Sequence, residues 1–132
     1  MSARNLLLGL ILVIFVSTVA LADGGFYGSV TYKNCECSWP PNYDRVRIVR
    51  IDQVGGPWFY GVDCWGPGYS TEGGAPETFP PGRYQLVVAL DENSECRKGL
   101  GGLSVVVTHG DDWQEVDLIV RGPEGQPRDG DE

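Results

Sequence analysis

The chain has 132 residues, with 18 acidic and 10 basic side chains, a formal charge of −8, and four cysteines. That acidity excludes a role that depends on attracting nucleic acid or an anionic membrane, because the whole surface repels them. The length suits one domain with a real core and leaves no room for two.

The first 22 residues carry the grammar of a cleaved secretory signal. Arg4 supplies the positive start, residues 6–16 form an apolar run broken only by Gly9, and Ala20-Leu21-Ala22 is an A-x-A site before Asp23. The run is short of the roughly 20 residues a membrane span needs. The expected mature domain is therefore residues 23–120, secreted or periplasmic, with no membrane span after signal cleavage. Cleavage removes Arg4 and no acid, leaving the domain more acidic still.

From residue 23 onward no apolar pattern of period 3.6 persists, and period-two runs recur between Gly, Pro, Asn and Asp. Residues 26–34 alternate Phe26, Gly28, Val30 and Tyr32 against Tyr27, Ser29, Thr31 and Lys33. Residues 45–52 read as a second strand, where a strict alternation buries an arginine on one side or the other. One extra residue near Ile48-Val49, a β-bulge, would place Arg45, Arg47 and Arg50 all outside. Residues 58–64 are a third strand after a turn at Gly55-Gly56-Pro57, and residues 66–76 read as loop. Pro80-Pro81-Gly82 forces a turn into the cleanest strand, residues 83–90, with Tyr84, Leu86, Val88 and Leu90 on one face. Residues 103–108 and 113–120 follow, joined across His109-Gly110-Asp111-Asp112, which puts His109 in an exposed turn. With a short piece at 77–79 the count reaches seven. The expected fold is all-β, an antiparallel seven-stranded Greek-key β-sandwich. Residues 121–132 lack bulky apolar side chains and read as a disordered acidic tail.

Cys35, Cys37, Cys64 and Cys96 all follow the signal, and an even count in an oxidising compartment reads as two disulfides stapling the sandwich. Residues i and i+2 of an extended chain lie near the limit of disulfide reach, so Cys35 and Cys37 are each expected to bond one of Cys64 and Cys96. A four-thiolate zinc site lacks the usual paired knuckles. No cofactor is implied. Asp91, Asn93 and Glu95 alternate like the opening of a calcium loop, but Cys96 stands where that loop needs Gly, and Gly102 where it needs Glu. They are a weak calcium candidate.

Residues 77–88, Glu-Thr-Phe-Pro-Pro-Gly-Arg-Tyr-Gln-Leu-Val-Val, resemble the signature of carboxypeptidase regulatory-like and collagen-binding-B-type domains. Gly28-Ser29-Val30-Thr31 resembles their opening strand, and residues 116–120 their closing one. The resemblance spans most of the mature chain and implies a transthyretin-like (prealbumin-like) sandwich of the carbohydrate-binding-like group. Collagen-binding-B-type domains often join a first-strand Lys to a last-strand Asp or Asn through a buried Glu. Lys33 and Asp117 match the outer parts, but Val88 occupies the Glu position, so the resemblance implies no such bond here.

No serine or cysteine in a nucleophile setting accompanies His109, which argues against an enzyme. Trp39, Tyr43, Trp58, Tyr60, Trp65 and Tyr69 crowd one stretch of sequence, more rings than a small core takes. Of these Trp39, Trp58, Tyr60, Trp65 and Tyr69 are the candidate ligand-binding residues, since exposed rings stack on sugars or pack against proteins. The expected function is a non-catalytic exported module with a binding or structural role towards protein at the cell surface; the alternative is a carbohydrate-binding module. Exposed coplanar rings would favour sugar, and an apolar patch or unpaired edge strand would favour protein.

Overall fold

A computed structural model of the chain describes residues 23–35, 43–63 and 66–123. The signal segment, residues 124–132, Cys37, Trp39, Cys64 and Trp65 lie outside the described residues. Among those described, nine strands form two sheets: β1 Phe26–Lys33, β2 Arg45–Arg50, β3 Gly55–Gly61, β4 Gly68–Ser70, β5 Gly82–Ala89, β6 Gly101–Gly102, β7 Val105–His109, β8 Gln114–Glu115 and β9 Leu118–Arg121. One sheet runs β3-β2-β5-β7; the other runs β4-β1-β9-β6, with β8 also against β1. A 3-10 turn, Glu95–Lys98, is capped by Ser94, whose hydroxyl accepts from the Cys96 amide.

The all-β sandwich reading holds, and several details change. The four-stranded sheet is antiparallel throughout, but β1 runs parallel to both β8 and β9. Residues 113–120 are not one strand, because the chain leaves the sheet at Val116-Asp117. There the Asp117 carboxylate accepts from the Ser29 amide at 2.9 Å. Residues 66–76 contain β4, whose Tyr69 phenol anchors it by donating to the Val116 carbonyl at 2.7 Å. Residues 77–79 form no strand; Phe79 makes a single bridge to Gly24. β9 extends past residue 120 to Arg121, and the Gly122 amide donates to the Lys33 carbonyl at 2.7 Å.

The bulge expected in β2 lies in β3. Between Ile48 and Arg50 the partner strand steps from Trp58 to Gly55, one residue more, while the pairing of β2 with β5 is unbroken. Gly56 takes the positive φ of 83° that this irregularity requires. Alternation in β2 therefore continues, and Arg50 falls on the core side with Val46 and Ile48. Its side chain is only 13% exposed and pairs with Asp52 at 2.7 Å. It also donates to the Pro81 carbonyl and lies over the Tyr84 ring. The strand end lets the guanidinium reach polar partners at the rim, so Arg50 stays on the core side with no residue inserted in β2. That hydrogen bond from Arg50 holds the Asp52 carboxyl below the usual carboxylate range.

Between the sheets lie Phe26, Val30, Val46, Ile48, Tyr60, Tyr69, Phe79, Tyr84, Leu86, Val88, Leu118 and Val120. At one end rings cluster around Phe79, with centroids of Phe26, Trp58 and Tyr84 at 5.3, 5.4 and 5.5 Å. At the other end Cys35 and Cys96 are joined by a disulfide between residues 61 apart in sequence. That is one of the two pairings open to Cys35, and the bond points to a non-reducing environment. Beside it the buried Asp44 accepts from the Tyr32 phenol and from the Asp91 amide, at 3.0 and 2.9 Å.

Candidate functional site

The candidate site is an open groove of about 860 Å³ on the outer face of β1, β4 and β8. Alternation along β1 sends Phe26 and Val30 inward and Tyr27 and Ser29 outward. The register sets Ser70 opposite Tyr27 on one side and Glu115 opposite it on the other. Residues in register share a face, so Ser70, Tyr27 and Glu115 make one row across three strands, and all three are exposed. Trp113, just before β8, lies across Gly25: a Cβ there would come within 2.7 Å of its ring. Only glycine leaves space for the indole to lie this close to the backbone.

Glu72 and Glu77 close the groove from the loop after β4. That loop is tied down by the buried Thr71, whose hydroxyl accepts from the Phe26 amide at 3.1 Å and donates to the Glu77 carbonyl at 2.8 Å. Tyr69 forms the floor. Its burial, and secondarily the Asp117 and Glu115 carboxylates, push its phenol above the ordinary tyrosine range. Tyr27 is 42% exposed and Trp113 41%. Among the described residues no cation pairs with Glu72, Glu77 or Glu115. The groove thus offers two ring surfaces, two serine hydroxyls and three uncompensated carboxylates.

Of the aromatic residues singled out from sequence, Trp39 and Trp65 lie outside the described residues, and Tyr43, Trp58 and Tyr60 do not line this groove. Tyr60 and Tyr69 are core residues at 6% exposure each. The Tyr60 hydroxyl donates to the Pro76 carbonyl, and burial pushes its pKa up to about 12. Trp58 is half-buried against Phe79. Tyr43 is exposed but stands beside Asp44 before β2. Of the described candidates, Trp58, Tyr60 and Tyr69, only Tyr69 reaches the groove, as its floor. The sequence signal for the groove lining is Tyr27, an aromatic residue on the polar face of an alternating strand.

His109 is not in an exposed turn. It ends β7 at 2% exposure, stacked on Phe26, with Nδ1 and Nε2 each 3.0 Å from an oxygen, Gln114 Oε1 and the Gly24 carbonyl. Both ring nitrogens are engaged, tying the end of β7 to the chain before β1 and to the start of β8. Asp91 is not a free calcium ligand either. Its carboxylate accepts from the Tyr43 amide at 3.0 Å, the main cause of its lowered pKa, while Asn93 and Glu95 are exposed. Among the described residues no group of three or more His, Cys, Asp or Glu side chains is placed to hold a metal. No described helix is long and apolar enough to cross a membrane.

No protein-family model matches the chain, and no curated protein or solved structure is significantly similar to it.

Proposed function

We propose that this protein is an exported, non-catalytic β-sandwich module that binds a partner protein at the cell surface through the groove over β1. The observation that carries this reading is the pairing of two half-exposed rings, Tyr27 and Trp113, with three uncompensated carboxylates in one groove. Such a surface suits lysine or arginine side chains, which stack on rings and approach carboxylates together. Export is supported by the signal-like residues 1–22 and by the Cys35–Cys96 bond. A non-catalytic role is supported by His109, whose two nitrogens already have partners in the core. The transthyretin-like Greek-key assignment, and kinship with carboxypeptidase regulatory-like domains, are supported by Phe79-Pro80-Pro81-Gly82 leading into Tyr84 and Leu86 on β5.

A carbohydrate ligand is the second reading, favoured by the same rings beside the Ser29 and Ser70 hydroxyls. The two separate on salt and charge. Binding of a lysine-rich peptide should weaken steeply as salt rises and should fail in the triple variant Glu72→Gln, Glu77→Gln, Glu115→Gln. Retention on insoluble polysaccharide should resist salt and depend mainly on the rings. Trp113→Ala should reduce either by several-fold, since one cation–ring or stacking contact contributes about 0.5–2 kcal/mol. A Trp113→Ala protein that keeps all binding to both probes and to cell-surface extract would remove the groove as the site.

A further inference from the structure

Among the described residues five strands are paired on one side only, and they are unequally protected. β3 carries Pro57 and the bulge, β4 has three residues, and β6 and β8 have two each. β7 has five, Val105-Val106-Val107-Thr108-His109, with neither proline nor charge, and pairs with β5 on one side only. A strand paired on one side leaves alternate N–H and C=O groups pointing outward, a template for another strand. Among the described residues no backbone hydrogen bond reaches β7 from that side. Its outward side chains are Val106, 48% exposed, and Thr108, and Leu103 is exposed just before it.

Charge and symmetry select the occupant. Two copies of a chain with a formal charge of −8 repel wherever carboxylates face each other. Residues 103–110 contain no charged side chain, and the charge nearest in register is the cationic Arg83, across β5 from Thr108. The strand is also complementary to itself. Antiparallel pairing centred on Val107 sets Val106 opposite Thr108 of the second copy, and the reverse, two β-branched pairs on one face. We infer that β7 pairs with β7 of a second copy of this chain, joining the two four-stranded sheets into one. A five-residue edge buries less than the roughly 1,200 Å² of a stable interface, so the dimer is weak and depends on concentration.

Sedimentation velocity of the purified protein from micromolar to millimolar concentration should show a monomer passing to a dimer. Amide exchange should slow with concentration at alternate residues of β7. Val106→Lys, on an exposed side chain, should weaken dimerisation by about tenfold or more with the melting temperature unchanged. Monomer throughout the range overturns the inference, as does a dimer that Val106→Lys leaves intact or concentration-dependent protection on a different strand. If Val106→Lys lowers melting, Thr108→Lys replaces it, and the exchange pattern of the unmodified protein decides independently.

Discussion

The two ends of the sandwich are held by different physics. Around Phe79 the end where β5 begins is a cluster of rings, Phe26, Trp58, Tyr60 and Tyr84, whose phenols donate to the Pro76 and Pro80 carbonyls. Among the described residues no such ring cluster stands at the end where β5 finishes. There the Cys35–Cys96 bond and the buried Asp44 draw β1, β2 and the chain after β5 together. Apolar area holds one end, and covalent and charged hydrogen bonds hold the other. An end held by one disulfide and one buried acceptor answers to reductant and to loss of a single carboxylate, as the ring cluster does not.

The largest effect should come from the aromatic end. Phe79→Ala removes the ring that all the others touch and should cost about 3–5 kcal/mol by denaturant titration. A loss below about 1 kcal/mol would mean the cluster is not a structural unit. Cys96→Ser tests the opposite end and should cost about 2–4 kcal/mol, mostly by freeing the unfolded chain. Reducing agent should cost the wild type at least this much, and an alanine variant at Cys35 should lose less to it, by the share that belongs to the Cys35–Cys96 bond. Asp44→Ala should cost less, about 1–3 kcal/mol, because the Tyr32 phenol and the Asp91 amide lose a buried acceptor. An unchanged melting temperature would show that water replaces the carboxylate and that the end is more open than it looks.

Alkaline pH gives the smallest and most shared effect. Burial raises the phenols of Tyr32, Tyr69, Tyr60 and Tyr84, with Asp44 adding to the rise at Tyr32. The folded state therefore keeps protons that the unfolded chain has already released. Stability from these groups is complete below pH 10 and falls as pH rises through the folded values, about 12 for Tyr60. Denaturation midpoints measured across this window should drop for the wild type. They should drop less for Tyr60→Phe and for Tyr32→Phe, which separates the ends.

Legibility from sequence followed regularity. β5 was readable because Pro80-Pro81-Gly82 marks its start and Tyr84, Leu86 and Val88 alternate without interruption, as the buried pattern of that strand bears out. β1 was readable for the same reason. The errors share one cause: a polar atom satisfied at a distance. Tyr60, Tyr69, Arg50 and His109 carry groups that seem to belong in water, and each finds its partner on another segment, at Pro76, Val116, Pro81 and Gly24. Nothing local announces those carbonyls. β4 was hidden by the Gly and Pro on either side, and the groove needed the register of three strands before Tyr27, Ser70 and Glu115 could be seen as neighbours. Ring counting did not reveal that Tyr60 and Tyr69 are core residues, because bulk in a sequence does not distinguish core from surface.

The parallel pairing of β1 has a consequence for how the chain is made. Phe26 sits in register with Gln114, and residues 30–33 with residues 118–121, so the first strand finds these two neighbours only when the last has been synthesised. The β3-β2-β5-β7 sheet is complete in the chain by residue 109, while β1 has by then only the three-residue β4 to pair with. Emerging residue by residue, the domain cannot seal progressively from its amino end; its closure waits for β8 and β9. Long-range closure of this kind slows folding and prolongs exposure of an apolar strand. A stop codon placed just after residue 112 should therefore leave a nascent chain with one sheet formed and Phe26 and Val30 uncovered, a species that a chaperone would hold and a protease would clear.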